Sequence, residues 1–218
     1  MSIGQIDKTA ASLLDRHSSD MLKKYSPRSV YGDGNCCYRA AALALFGTQE
    51  LHSYVRLMTA LEMIEHRQYY DLAHRQYIGH LRDDRVETPG YKDLIESVVT
   101  MSKDAELMHF FGISAAFRVA VRSYIPPMPA FGSIDSPYNM LVIGREVHVR
   151  IARSFTLMWT PMSMPHADEP FNPGHIILLV PLPGVNNTNN GSDNDCLAQD
   201  AMQVGVIYCF NNTSAYQY

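Results

Sequence analysis

The sequence predicts an α+β domain in its sandwich form, a small central β-sheet flanked by helices. Three observations carry that prediction. Apolar residues recur at helical spacing through the first half of the chain; the period changes to two from Val119 onward; and His175 to Val180 is a nearly continuous apolar run of the kind a buried strand shows. At 218 residues the chain is long enough for a full core, since folding at that length buries roughly 70% of the surface the unfolded chain exposes.

Residues 1–27 carry one modest amphipathic pattern, Ile6, Leu13, Leu14, Met21 and Leu22, broken at Pro27, and read as an N-terminal arm. Residues 28–182 read as the domain proper. Within it, an Ala/Leu run from Cys36 predicts a helix stopped by Gly47, and Leu51, Val55, Met58, Leu61 and Ile64 predict a second helix packed beside the first. The polar segment from His66 to Gly90, with Tyr69, Tyr70 and Tyr77 scattered through it, is expected at the surface. Leu94, Ile95, Val98 and Val99 predict a third helix. Ser102, followed by Asp104 and Glu106, predicts the N-cap and acidic first turn of a fourth.

Val119, Val121 and Ser123 then alternate with Ala120, Arg122 and Tyr124 as a strand does, and Val147 to Ile151 and Phe155 to Trp159 read as further strands. Residues 183–218 are expected to be a polar, Asn-rich loop and C-terminal segment, with Val204 to Phe210 as a candidate last strand. The N-x-[ST] matches at Asn186, Asn190, Asn211 and Asn212 read as coincidences of that composition.

Charge and cysteine usage narrow the function classes. Eighteen Lys and Arg against 22 Asp and Glu give a net charge of −4, with no block of like charges. A basic face for phosphate neutralisation is therefore not expected, and neither nucleic acid nor an anionic membrane is favoured as a partner. The four cysteines, Cys36, Cys37, Cys196 and Cys209, form no C-x-x-C pair or regular framework, and no charged n-region followed by an apolar h-region opens the chain. The expected setting is reducing and intracellular, cytoplasmic or nuclear, and the expected state is monomeric.

The segment richest in chemistry is Gly32-Asp33-Gly34-Asn35-Cys36-Cys37-Tyr38-Arg39-Ala40. It places a thiol at the first turn of a helix, where unpaired N–H groups are expected to lower the pKa of Cys36. Gly34 and Asn35 can aim backbone N–H groups beside the sulfur, where an oxyanion would form. A nucleophilic thiol needs a base, usually His. Of nine histidines, His52, His66, His74 and His80 fall in the helical middle and read as surface residues, whereas His175 opens the most apolar strand after Pro173-Gly174. It is expected at a sheet edge, held by a rigid element and exposed at the tip.

The Asp33-Gly34-Asn35-Cys36 block with Tyr38-Arg39-Ala40 resembles the D-G-N-C-x-Y-R-A signature of the ovarian tumour (OTU) cysteine proteases, and His175 before an apolar strand is similar to that family's catalytic histidine. The resemblance spans about residues 28 to 182 and is nearest to divergent OTU domains of metazoan mobile-element proteins and the vertnin-like group. It implies an OTU-like, papain-type fold and a thiol-dependent deubiquitinase without metal or organic cofactor. That enzyme would cleave the isopeptide bond after the C-terminal glycine of ubiquitin or a ubiquitin-like modifier, with polyubiquitin chains among its substrates. Cys36 would be the nucleophile and His175 the base. Asp33 would be the motif aspartate of the site, with the organisation of the loop as its role. Backbone N–H groups of Gly34, Asn35 and Cys36 would form the oxyanion hole.

Many members carry Asp or Asn two positions after the histidine. Here that position is Ile177, which leaves Asn172 as the candidate orienter. A catalytically weak or inactive ubiquitin-binding module, or an interaction protein of a mobile element, are the alternatives this departure leaves open. Cys37 reads as structural. Trp159 reads as core or as a wall of the cleft, Met158, Met162 and Met164 as core filler or as a lining for a peptide tail, and Asp83, Asp84 and Glu87 as a solvated loop or a contact for a basic tail.

Overall fold

A computed structural model of the full chain describes residues 4–78, 89–127, 136, 138–145, 153–162 and 173–184. All of them belong to one compact unit, Met1–Val185. Among the described residues twelve elements follow in chain order: α1 (Lys8–His17), α2 (Ser19–Lys24), β1 (Tyr25–Arg28), α3 (Cys36–Phe46), α4 (His52–Glu65), α5 (Arg67–Tyr70), α6 (Tyr91–Val99), α7 (Leu107–Phe117), β2 (Ala120–Tyr124), β3 (Met140–Val142), β4 (Ser154–Thr160) and β5 (His175–Pro181).

The five strands form one sheet in the order β1-β5-β4-β2-β3. β2 and β4 run parallel and every other pair is antiparallel. With β1 and β4 on either side of it, β5 is an interior strand, and its first five residues are all buried. The unbroken apolar run of β5 records that position, because a strand covered on both faces has no reason to alternate. The predicted edge position of His175 is corrected accordingly: it lies at the end of an interior strand, paired with Thr160, and is itself buried.

The helices pack where short side chains allow. α3 is rich in alanine, packs on β5 and β4, and stops at Gly47, whose φ of 74° suits a residue without a Cβ. α7 packs on β2 and β3, and α4 packs on α3, α6 and α7. Residues read as an arm are built into the same unit: Ala10, Leu13 and Leu14 are buried, and Tyr25–Arg28 pairs with β5 around Pro27. Proline is tolerated there because β1 is an edge strand.

Three expectations change. Helix α4 forms as predicted, but of the residues that marked its apolar face only Val55 is buried; Leu51, Leu61 and Ile64 are exposed. Its inward residues include Arg56, Thr59 and Glu62, and these hold polar partners: Glu62 accepts from Arg145 Nε at 2.7 Å and from Tyr70 Oη at 3.2 Å. The segment after His66 is less superficial than its polarity implied, since Tyr70, Tyr77 and Ile78 are buried. Ser102 does not cap a helix. It adopts φ 61°, and α7 begins five residues later behind Glu106, which forms a capping box with His109. The candidate strands Val147 to Ile151 and Val204 to Phe210 lie outside the described residues, as does most of the 183–218 segment.

His109 gives this cap a pH dependence. It is fully buried, its Nδ1 accepts the Glu106 N–H at 3.0 Å, and Nε2 meets Ser97 Oγ at 3.2 Å. Burial, with the Arg56 charge as a lesser cause, pushes its pKa down to about 4. The unfolded chain binds this proton near pH 6.5 and the folded chain only near pH 4, so the stability is present above pH 6.5 and is lost progressively as pH falls towards 4. The loss is on the order of 3 kcal/mol. Urea unfolding at pH 7 and pH 4.5 should show a larger drop in midpoint for the wild type than for His109→Gln, which keeps a hydrogen-bonding side chain but cannot titrate.

Candidate active site

The loop before α3 is fixed by its own side chains. Asp33 accepts the Asn35 N–H at 3.1 Å and receives the Arg39 guanidinium, with Nη2 at 2.7 Å and Nε at 3.1 and 3.2 Å. Arg39 holds the Asp33 carboxyl well below the usual carboxylate range. The Asp and Arg of the block are thus one clamp, closing the loop onto the first turn of the helix it feeds. The Asn35 N–H is engaged inside this clamp, while the N–H of Cys36 faces the Cys36 sulfur.

A second set of contacts ties the same loop to residues 97–103. Buried Asn35 accepts the Ser102 N–H at 3.0 Å through Oδ1. Gly34 has φ 75°, and a Cβ there would collide with the Ser102 carbonyl, so only glycine fits. Arg56, only 2% exposed, donates to the carbonyls of Gly34 at 3.0 Å, Lys103 at 2.6 Å and Ser97 at 2.8 Å, to those of Val98 and Thr100 as well, and stacks over Tyr38. Its positive charge sits at the C-terminal end of α6, where the helix dipole is negative.

Cys36 is the first residue of α3 and is 4% exposed. Its sulfur faces the backbone N–H groups of Ile176, Cys37 and Cys36, which favour the thiolate. Burial outweighs them, and the Asp104 carboxylate adds to the burial, so the thiol pKa is raised rather than lowered. This corrects the expectation drawn from the helix terminus: a desolvated sulfur loses more hydration than three amide dipoles return. Cys37 is fully buried, and burial pushes it further up.

His175 follows the same rule with the opposite sign. Burial lowers its pKa, opposed by the carboxylates of Asp7 and Asp104 and by the Val30 carbonyl. Its Nδ1 is buried and has no hydrogen-bond partner. Since the Cys36 sulfur meets the N–H of Ile176, the residue after His175, the fold brings the start of α3 to the start of β5. Both side chains rest neutral near pH 7. Gly32 borders the imidazole: a Cβ there would lie 3.7 Å from His175 Cε1 and collide with the end of Met162, which is 63% exposed.

The remaining sequence candidates divide clearly. Met158 is core, and Trp159 is buried, stacked on Phe110 at 5.4 Å and donating to Ser123 Oγ at 2.9 Å. Ile177 is fully buried. Asn172, Met164, His80, Asp83, Asp84 and Glu87 lie outside the described residues. Among the described residues no group of His, Cys, Asp or Glu is arranged to hold a metal ion, and no helix is long and apolar enough to cross a membrane. Sequence reading missed Arg56, Ser102 and Asp104. They reach the site from more than 20 positions away, and only the buried, fully polar environment of Asn35 marks where they dock.

Comparison with known proteins places this geometry. Residues 27–88 match the family model described as the OTU domain of vertnin. The OTU domain of OTUD1 has the same fold at TM-score 0.51, with 18% identity over 79% of this chain and 96% of that one. The viral OTU domain protease of Dera Ghazi Khan virus aligns at TM-score 0.47 and 13% identity, over 74% of this chain and 84% of that one. The Hazara virus OTU bound to ubiquitin aligns at 0.46 and 10%, again over 74% and 84%. No curated protein matches the chain by sequence. The family model thus matches the segment that carries the Cys36 loop, and the five-stranded mixed sheet with its helices is an α+β fold shared with the OTU domain of OTUD1.

Proposed function

We propose that the chain is a thiol-dependent deubiquitinase that hydrolyses the isopeptide bond after the C-terminal glycine of ubiquitin or a ubiquitin-like modifier. The observation that supports this reading is the meeting of the Cys36 sulfur with the N–H of Ile176 at the opening of β5, the residue next in sequence to His175, whose buried Nδ1 has no hydrogen-bond partner. A buried lone pair without a partner is costly unless it has a use, and accepting a thiol proton is such a use. The choice of ubiquitin follows the OTU family.

In this mechanism His175 takes the Cys36 proton as the sulfur attacks the glycine carbonyl, and the oxyanion rests on backbone N–H groups of Gly34 and Cys36. The imidazolium then protonates the departing lysine amine, leaving a thioester, and His175 activates the water that hydrolyses it. Asp33 acts on the loop through Arg39, and Asn172 is the residue proposed to orient His175.

Two observations favour the weaker alternative of a ubiquitin-binding module: Ile177 cannot accept a hydrogen bond, and burial raises the Cys36 thiol pKa. Ubiquitin bearing a thiol-reactive C-terminal warhead separates the readings. A covalent adduct that disappears in Cys36→Ala, together with cleavage of linked chains, is the expected result. Binding without adduct or cleavage assigns the module, and no binding at all overturns both.

A further inference from the structure

Helix α4 is built with its polar residues inward and its leucines outward. Between His52 and Ile64 the buried residues include Arg56, Thr59 and Glu62, while Tyr54, Leu57, Leu61 and Ile64 are 47%, 55%, 41% and 49% exposed. No charged residue between His52 and Ile64 faces solvent. Phe46, 40% exposed, extends the stripe through edge contacts with Tyr54 and Phe117 at 5.9 and 6.0 Å. From these fractions the exposed apolar patch is roughly 400–500 Å², at the upper end of what monomers carry.

The spacing of the four exposed residues is three, four, three, which is the a/d seam of a helix pair. It reads the same from either end. In an antiparallel pairing about a two-fold axis, Leu57 falls opposite Leu61 of the second copy, and Tyr54 opposite Ile64. That register sets Glu65 opposite Ser53 and Glu50 beside Arg67, so it brings no like charges together. Two such patches, with the polar rim around them, reach the area of about 1,000 Å² that a specific interface needs.

We propose that α4 is the interface of a two-fold homodimer of this chain, formed by antiparallel α4–α4 packing along Tyr54, Leu57, Leu61 and Ile64. The inference is independent of the catalytic reading and replaces the expectation of a monomer. A self-complementary seam closes with two copies, because each copy's patch is used up by the other.

Sedimentation velocity of the full chain, from 1 to 200 μM, tests it. The expected result is a concentration-dependent monomer–dimer equilibrium, weakened at least tenfold by Leu57→Lys or by Leu61→Glu. Each of those chains should remain folded by circular dichroism, because the changed side chains are exposed. Mixing the Leu57→Lys chain with the Leu61→Glu chain should restore a dimer, since the two new charges then meet across the seam. A chain that stays monomeric throughout overturns the proposal, as does a dimer indifferent to both substitutions. Monomers whose α4 resonances shift on titration with ubiquitin would assign the face to ubiquitin instead, and overturn it too.

Discussion

Arg56→Ala is expected to lower the stability of the domain by about 3–5 kcal/mol and to release the Cys36 loop. The cost arises because the guanidinium is the shared donor for five carbonyls that belong to two separate segments, the end of α6 with the turn after it, and Gly34. Removing it takes that donor from all five oxygens, those of Ser97 and Val98 in a buried setting, and removes the cation stacked 4.1 Å above Tyr38. Arg56→Lys should recover only part of the loss, because an ammonium has three donors and no planar fork. Urea unfolding gives the stability. A loop effect distinct from global destabilisation would appear as slower warhead labelling of Cys36 under conditions where the variant is still folded. Equal labelling rates for folded wild type and variant would show that Gly34 holds its place without this clamp.

The same residue explains the limits of reading this chain from its sequence. The period of the apolar residues was enough to find α3, α4, α6 and the strands β2, β4 and β5, since periodicity reports local geometry whichever way an element faces. It could not report that α4 turns Arg56 and Glu62 inward, because the reason lies in partners from α6, from Tyr70 and from Arg145, none adjacent in sequence. Tyr70 and Tyr77 were hidden for a related cause: a polar segment buries isolated aromatics without any repeating pattern. The loop before Cys36 was legible because its chemistry is local. Asp33, Asn35 and Arg39 satisfy one another within seven residues, so the block itself carries the constraint. What the block could not convey was desolvation, and the Cys36 pKa depends on how deeply β5 and its neighbours enclose the sulfur, beyond the helix terminus it sits on.

For the proposed hydrolysis, His175→Ala is expected to lower kcat/KM by a factor of about 10² to 10⁴, the usual contribution of a positioned general base. The pH profile tests the protonation states more sharply than the substitution does. Burial lowers the His175 pKa below 6.5 and raises that of Cys36 above 9.0. A neutral imidazole and a neutral thiol are therefore the resting forms. Activity should rise with pH through the His175 pKa, below 6.5, and then hold level until the thiol itself ionises above pH 9.0. A preformed thiolate–imidazolium pair behaves differently: its activity falls as the imidazolium loses its proton, on an alkaline limb that begins below the thiol's own range. Alkylation of free Cys36 by iodoacetamide distinguishes the same two states without substrate. Slow reaction at pH 7, accelerating towards and beyond pH 9, is the expected course. Rapid alkylation at pH 6 would mean that an ion pair exists before substrate arrives, and proton transfer would then precede attack instead of accompanying it. In the neutral-pair mechanism the proton is in flight as the carbon–sulfur bond forms, so kcat/KM should be smaller in deuterium oxide than in water. A ratio at or below one would contradict concerted transfer to His175 even if the substitution abolished turnover.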